Sequence, residues 1–244
     1  MRKPTIHITI ALIISLLSIS DHADAQDDRA ENQSLSKKNQ SIVLISAYTA
    51  KGDLVQLEDA LHNGLDAGLT VNEIKEVLVH LYAYCGFPRS IRGLNTLMAV
   101  VEERKADGIE DEMGPEASPI TDERSKYGRG VETLYELTGE KWGYPESGYG
   151  AFAPAIDRFL KEHLFADIFE RDVLTYQQRE LVTISALSSM GGVEPMLQGH
   201  IGIGMNVGLT ESQLEQTFSI IATNVGEAEA KAGIEILSQI RNSN

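Results

Sequence analysis

The sequence predicts an all-α protein built from two tandem helical units, and three observations predict it. Apolar residues recur with helical spacing along nearly the whole chain, and no run alternates convincingly with period two. Glycines punctuate these runs where left-handed backbone suits a helix end, at Gly52, Gly68 and Gly86 and again at Gly208 and Gly226. The third observation is an echo. Gly68-Leu69-Thr70 returns as Gly208-Leu209-Thr210, a step of 140 residues that carries Ile74 onto Leu214 and Gly86 onto Gly226. Ile-Ser-Ala at 45–47 returns at 184–186 with a step of 139, so one residue is inserted or deleted between the two echoes.

The elements follow in order. Residues 1–25 have the pattern of an export signal: Arg2 and Lys3 precede an apolar run from Ile8 to Ile19, and Ala23-Asp24-Ala25 supplies a small-x-small cleavage site. The run is about a dozen residues, shorter than the roughly 18 that span a bilayer. Residues 26–36 are polar, a tether. The first unit, 37–106, is expected to hold helices near 37–51, 53–67, 70–85 and 88–106. Thr70 with Glu73 forms a capping box, and Pro88 suits a first helical turn. An acidic linker, 107–120, carries Gly108, Gly114, Pro115 and Pro119.

The second unit, 121–244, starts with an arm that has no counterpart in the first. Thr121 is expected to open a helix through Leu137. A glycine-rich loop from Gly139 to Gly150 with Trp142, Tyr144 and Tyr149 follows, and then a helix near 154–165. Helices near 175–190, 194–207, 210–224 and 227–242 complete the unit, with Gly208 and Thr210 repeating the parts of Gly68 and Thr70.

Composition narrows the partners. The net charge is −15 and stays there after signal cleavage, since residues 1–25 hold two basic and two acidic residues. Such a charge disfavours nucleic acid and anionic membrane surfaces as partners and gives no long-range attraction for anionic substrates. With one cysteine there is no intramolecular disulfide. Cys85 is therefore buried and inert, a free reactive thiol, or paired with another chain. No metal is expected, because His62, His80, His163 and His200 lie apart in sequence and form no paired ligand motif.

The Leu69-Thr70-x-x-Glu73-Ile74-x-Glu76-Val77 turn and helix, ending in Tyr84-Cys85-Gly86-x-Pro88, resembles the carboxymuconolactone decarboxylase family, which includes alkylhydroperoxidase D. The second unit resembles it over a longer span: Lys126-Tyr127 with Gly130, Phe159 to Phe165, Gln178 to Ile184, then His200. The resemblance implies two alkylhydroperoxidase D-like helical units forming an intramolecular pseudo-dimer, and homo-oligomers, here a trimer of tandem chains. It also implies no cofactor.

His200 lies on an apolar stripe beside Leu197, Ile201 and Gly204, where a histidine serves either as a core group bonded to a carbonyl or as an acid or base. Family members carry an active-site histidine on this helix. Gly199, Gly202 and Gly204 suggest close approach of a helix or ligand. Glu180 shares a face with Ile184 and Leu187. On residues alone it is a solvated or capping carboxylate, whereas the alkylhydroperoxidase D branch uses a glutamate here as a proton relay to a Cys-x-x-Cys pair. Those two cysteine positions fall on Gly192 and Pro195, which excludes a dithiol cycle in this unit.

In the first unit, Glu76 and His80 are four apart, a surface pair or a catalytic one. Arg89 and Arg92 follow Cys85 one turn apart, either solvated or gripping a substrate carboxylate. The leading expectation is cofactor-free decarboxylation of a small carboxylated lactone or keto acid, with His200, Glu180, Cys85 and Glu76 as catalytic candidates and Arg89 and Arg92 as substrate-binding ones. Two alternatives remain: a hydroperoxide reductase using Cys85 with an external thiol, and a periplasmic binding or scaffold protein.

Overall fold

The computed structural model describes residues 34–243, so the expected export signal and residues 26–33 of the expected tether lie outside the described residues. Ten α-helices and one π-helical stretch account for most of the described chain, and there is no strand among the described residues. They are α1 (Lys37–Lys51), α2 (Leu54–Asp66), α3 (Val71–Ala106), α4 (Lys126–Thr138), α5 (Gly148–Phe152), α6 (Pro154–Phe159), the π-helical Leu160–Ile168, α7 (Tyr176–Met190), α8 (Glu194–Asn206), α9 (Glu211–Asn224) and α10 (Glu227–Ser243).

Local chemistry sets the boundaries. Thr70 and Glu73 form the expected capping box on α3: Glu73 N donates to Thr70 Oγ1 at 3.1 Å and Thr70 N to Glu73 Oε2 at 2.7 Å. Thr210 with Gln213 caps α9 in the same way, and so does Thr175 with Gln178 on α7. α3 is two limbs, because Gly86 (φ 79, ψ 161) takes backbone angles that side-chain-bearing residues avoid. The second limb folds back on the first, and Ser90 Oγ donates to Leu78 O at 2.7 Å. The acidic linker is tied down rather than free: Val71 N and Asn72 N, unpaired at the start of α3, donate to Glu112 O and Met113 O.

The arm departs from expectation at its start. α4 begins after Ser125, whose hydroxyl accepts from Gly128 N at 3.2 Å, and not at Thr121, because Asp122 is engaged with Arg124 ahead of the helix. The helix expected near 154–165 turns π-helical from Leu160. Leu134 and Leu137 pack there against Leu164, Phe165, Ile168 and Phe169 in a small core of their own.

The main core is shared between the two halves of the chain. α1 and α7 lie against each other at its centre, and one continuous cluster includes Ile42, Ile45, Leu61 and Ile74 with Leu181, Ile184, Ile201 and Phe218. Each such side chain contributes roughly 1.5–3 kcal/mol of burial free energy, so the halves are held by the same apolar contacts that hold each helix in place.

Candidate functional site

Three helices supply the polar groups that this apolar centre encloses. α7 enters the core at Arg179 and stays buried to Ser189, bringing Arg179, Glu180 and Thr183 inside. α8 presents His200 on the same inward face as the buried Leu197, Ile201 and Gly204, as its spacing predicts. The first limb of α3 adds Glu76, His80 and Tyr84, one turn apart on one face.

Glu180 and His200 form the focus. The Glu180 side chain is wholly buried and its Oε2 lies 2.8 Å from His200 Nδ1, whose side chain is 15% exposed. A carboxylate can only accept, so Nδ1 carries the hydrogen in this bond and Nε2 is left as the basic nitrogen. The solvated or capping alternative for Glu180 is thereby overturned: a fully buried carboxylate needs a partner, and His200 is the one present. Its other oxygen, Oε1, is buried without a hydrogen-bond partner.

Glu76 is also buried, at 2% exposure, and is not a surface group. Arg179 Nη2 donates to its Oε1 at 2.8 Å, and Arg171 Nε donates to both oxygens at 2.9 and 3.0 Å. With its oxygens engaged by two guanidinium groups, it is an ion-pair anchor, which corrects its placement among the catalytic candidates. Arg179 Nη1 meets His80 Nδ1 at 3.2 Å, and His80 Nε2 meets Thr183 Oγ1 at 2.9 Å. Arginine has only hydrogens to offer, so Nδ1 accepts and Nε2–H donates: His80 is neutral. Burial, then the Arg179 and His200 charges, hold its pKa well below the ordinary histidine value. Tyr84 lies between His80 and His200, with ring centroids 5.2 Å and 5.5 Å away, edge-on to the latter.

Cys85 is half-buried and donates to Leu81 O at 3.1 Å. Burial pushes its thiol up to about 11, more than the nearby Arg89 charge lowers it. Arg89 donates from Nη1 to Lys51 O at the end of α1. Arg92 lines a surface groove of about 350 Å³ with Leu54, Val55 and Glu58. No hydrogen bond, ion pair or ring contact among the described residues links Cys85, Arg89 or Arg92 to Glu180 or His200. Of the glycines on α8, Gly204 alone meets close neighbours, while a side chain at Gly199 or Gly202 would meet open space.

One set of possible metal ligands is present where the sequence offered none: Glu58 and His62 on α2 and Glu103 on α3 place ligand atoms within 4.8 Å of one another. The two carboxylates are exposed, and the set is separate from the dyad in sequence and in its helices. Arg179 and Tyr84 are the site residues that sequence reasoning missed. The signal was there in the i, i+4, i+8 row Glu76-His80-Tyr84, a polar stripe on an otherwise apolar helix.

No helix among the described residues is long and apolar enough to cross a membrane. No curated protein matches the chain. Residues 154–239, which run from α6 into α10 and carry both Glu180 and His200, match the model of the Carboxymuconolactone decarboxylase family, and it is to this family that the chain is similar.

Proposed function

We propose that the protein is an exported, cofactor-free acid–base enzyme that decarboxylates a small carboxylated lactone or keto acid. The observation that carries this reading is the Glu180–His200 pair: a buried carboxylate fixes the imidazole tautomer and leaves Nε2 able to exchange a proton with a ligand. In such a substrate the bond to the carboxylate carbon breaks and carbon dioxide leaves. The electron pair moves into the carbonyl beta to the lost carboxylate as an enolate, and the enolate carbon takes a proton that His200 Nε2 has first gained from solvent. Solvent then restores that proton. Glu180 stabilises the imidazolium while it exists, the same service an orienting carboxylate gives other catalytic histidines.

On this reading the chain is a tandem pair of units forming an intramolecular pseudo-dimer, with one complete site where the units meet, and three chains assemble as a trimer. The family match over residues 154–239 supports the ancestry of the second unit. Matching turns at Gly68 and Gly208 support the pairing of the two units, since Leu69 N donates to Gly64 O at 3.0 Å and Leu209 N to Gly204 O at 2.8 Å. A thiol peroxidase at Cys85 is disfavoured by its raised pKa, because the thiolate is the attacking species.

The test is turnover of a panel of carboxylated γ-lactones and keto acids by the purified protein. His200→Ala is expected to cut turnover by roughly 10²–10⁴-fold with the fold intact by circular dichroism. Undiminished turnover in that variant would refute the acid–base role.

A further inference from the structure

Two buried polar atoms of opposite kind lie without partners beside His200. The Tyr84 hydroxyl, a donor, meets no partner with hydrogen-bond geometry, although Thr183 lies close enough to act on it, and Glu180 Oε1, an acceptor, meets none either, while the other oxygen of that carboxylate holds His200. Buried polar atoms are satisfied in the great majority of cases, so each such exception calls for a cause. Of the other partnerless atoms, Arg179 Nε belongs to a guanidinium already engaged with Glu76, His80 and Arg171 O, and the hydroxyls of Thr49, Ser185 and Ser189 belong to helical residues whose own preceding turn offers carbonyl acceptors. A phenol at the end of a rigid ring cannot turn back in that way, and a carboxylate oxygen has no hydrogen to give.

The positions of the two atoms connect them. Tyr84 stands edge-on to the His200 ring at 5.5 Å, and the Glu180 charge acts on its phenol. Burial first and Glu180 second raise the phenol's pKa, so the hydroxyl keeps its hydrogen. Thr183 is the competing acceptor nearby. Its hydroxyl already donates to Arg179 O at 3.0 Å and meets His80 Nε2.

We propose that Tyr84 is a third catalytic residue, supplied by the first half of the chain to the dyad of the second: its hydroxyl donates to the substrate oxygen on which negative charge develops, while Glu180 Oε1 accepts from a hydroxyl of the same molecule. This rests on the acid–base reading and narrows its substrate class to small hydroxylated carbonyl acids whose carbonyl lies beta to the carboxylate, such as a 3-keto acid with a neighbouring hydroxyl. The electron pair released with carbon dioxide ends on the oxygen that Tyr84 holds, while His200 supplies the proton. Substrate binding then satisfies both orphaned atoms at once. A fixed donor aimed at developing charge is among the larger contributions an enzyme makes to rate.

Tyr84→Phe tests this in two measurements on the full chain. In thermal melts without ligand, the variant is expected to melt at or above the wild-type temperature, because a hydroxyl with no partner contributes nothing to the free protein. A fall of several degrees would show that the hydroxyl is bonded structurally, to Thr183 or to an ordered water, and would overturn the proposal. In turnover of hydroxylated 3-keto acids and carboxylated lactones, kcat is expected to drop by roughly 10²–10³-fold. The same panel without the hydroxyl should be processed worse by the wild type, and Glu180→Gln should narrow that gap. Wild-type rates in Tyr84→Phe alongside a dead His200→Ala would overturn the role of Tyr84 and leave the acid–base reading standing. Wild-type rates in His200→Ala would remove both.

Discussion

The packing around Gly64 and the packing around Gly204 are alike, and the polar groups near them differ. A side chain at Gly64 would meet Ile45, Leu69 and Ser41, and one at Gly204 would meet Ile184, Leu209 and Glu180. Stepping by 139 or 140 residues carries the first set onto the second, residue for residue. The same steps carry His200 to Ala60, Tyr84 to Asn224, His80 to Ile220, Arg179 to Gln40 and Glu76 to Gln216. At that second location Gln40 Nε2 donates to Leu35 O at 2.8 Å and Gln216 Oε1 accepts from Leu35 N at 2.7 Å. Neutral amides there hold the backbone just ahead of α1 in place. Charged groups at the first location hold a histidine row. The comparison teaches that helix packing tolerates either filling, whereas proton transfer is compatible with only one, since Ser41 and Ala60 offer no titratable pair.

The largest expected difference between the two locations is in stability. Replacing Arg179 by Met leaves Glu76 buried with only Arg171, and a broken buried ion pair costs about 3–5 kcal/mol. Gln40→Ala at the matching place should cost about 1 kcal/mol, the usual net value of a neutral hydrogen bond. Urea unfolding of the two variants checks this, and equal losses would erase the distinction drawn here.

A smaller effect separates His80 from Ile220. His80 is held neutral in the fold, with its pKa well below the unfolded value of about 6.5. The unfolded chain therefore binds one more proton as pH falls, and stability that is complete above about pH 6.5 is lost by up to about 1.4 kcal/mol for each pH unit below it. Replacing His80 by Gln should remove one proton's worth of that slope between pH 6.5 and 5. An unchanged slope would mean that His80 takes up its proton inside the fold.

The smallest effect concerns Cys85 against Val225, its counterpart. With its thiol pushed up to about 11, iodoacetamide alkylation at pH 7 should be slow and should rise about tenfold per pH unit until that value is approached. Mass spectrometry of the single thiol follows it. Rapid labelling at neutral pH would return Cys85 to the list of nucleophile candidates.

The helices were legible because their signals are local. Thr70, Thr210 and Gly86 act on atoms within a few residues of themselves, so a sequence carries the whole cause. The Ser125 start of α4 was misplaced because Asp122 and Arg124 pair with each other just ahead of it, and the π-helical turn after Phe159 has no local signature. Glu180 and His200 were legible as candidates through their order along the chain. Glu76 was not, because its meaning depends on two arginines about a hundred residues away, and one helical turn of separation between Arg89 and Arg92 says nothing about which groove Arg92 faces.

By itself, then, the sequence determined the all-helical class, the echo of one turn in the other, and the residue types at each repeated place. Only the tertiary structure decided which of those residues meet: that the row Glu76-His80-Tyr84 lies against Arg179, Thr183 and His200, and that Cys85 and the two arginines after it do not join them. The reason is physical. Helix signals depend on atoms a turn apart, whereas a buried polar cluster depends on which faces the apolar core brings together, and that is fixed by the packing of the whole chain.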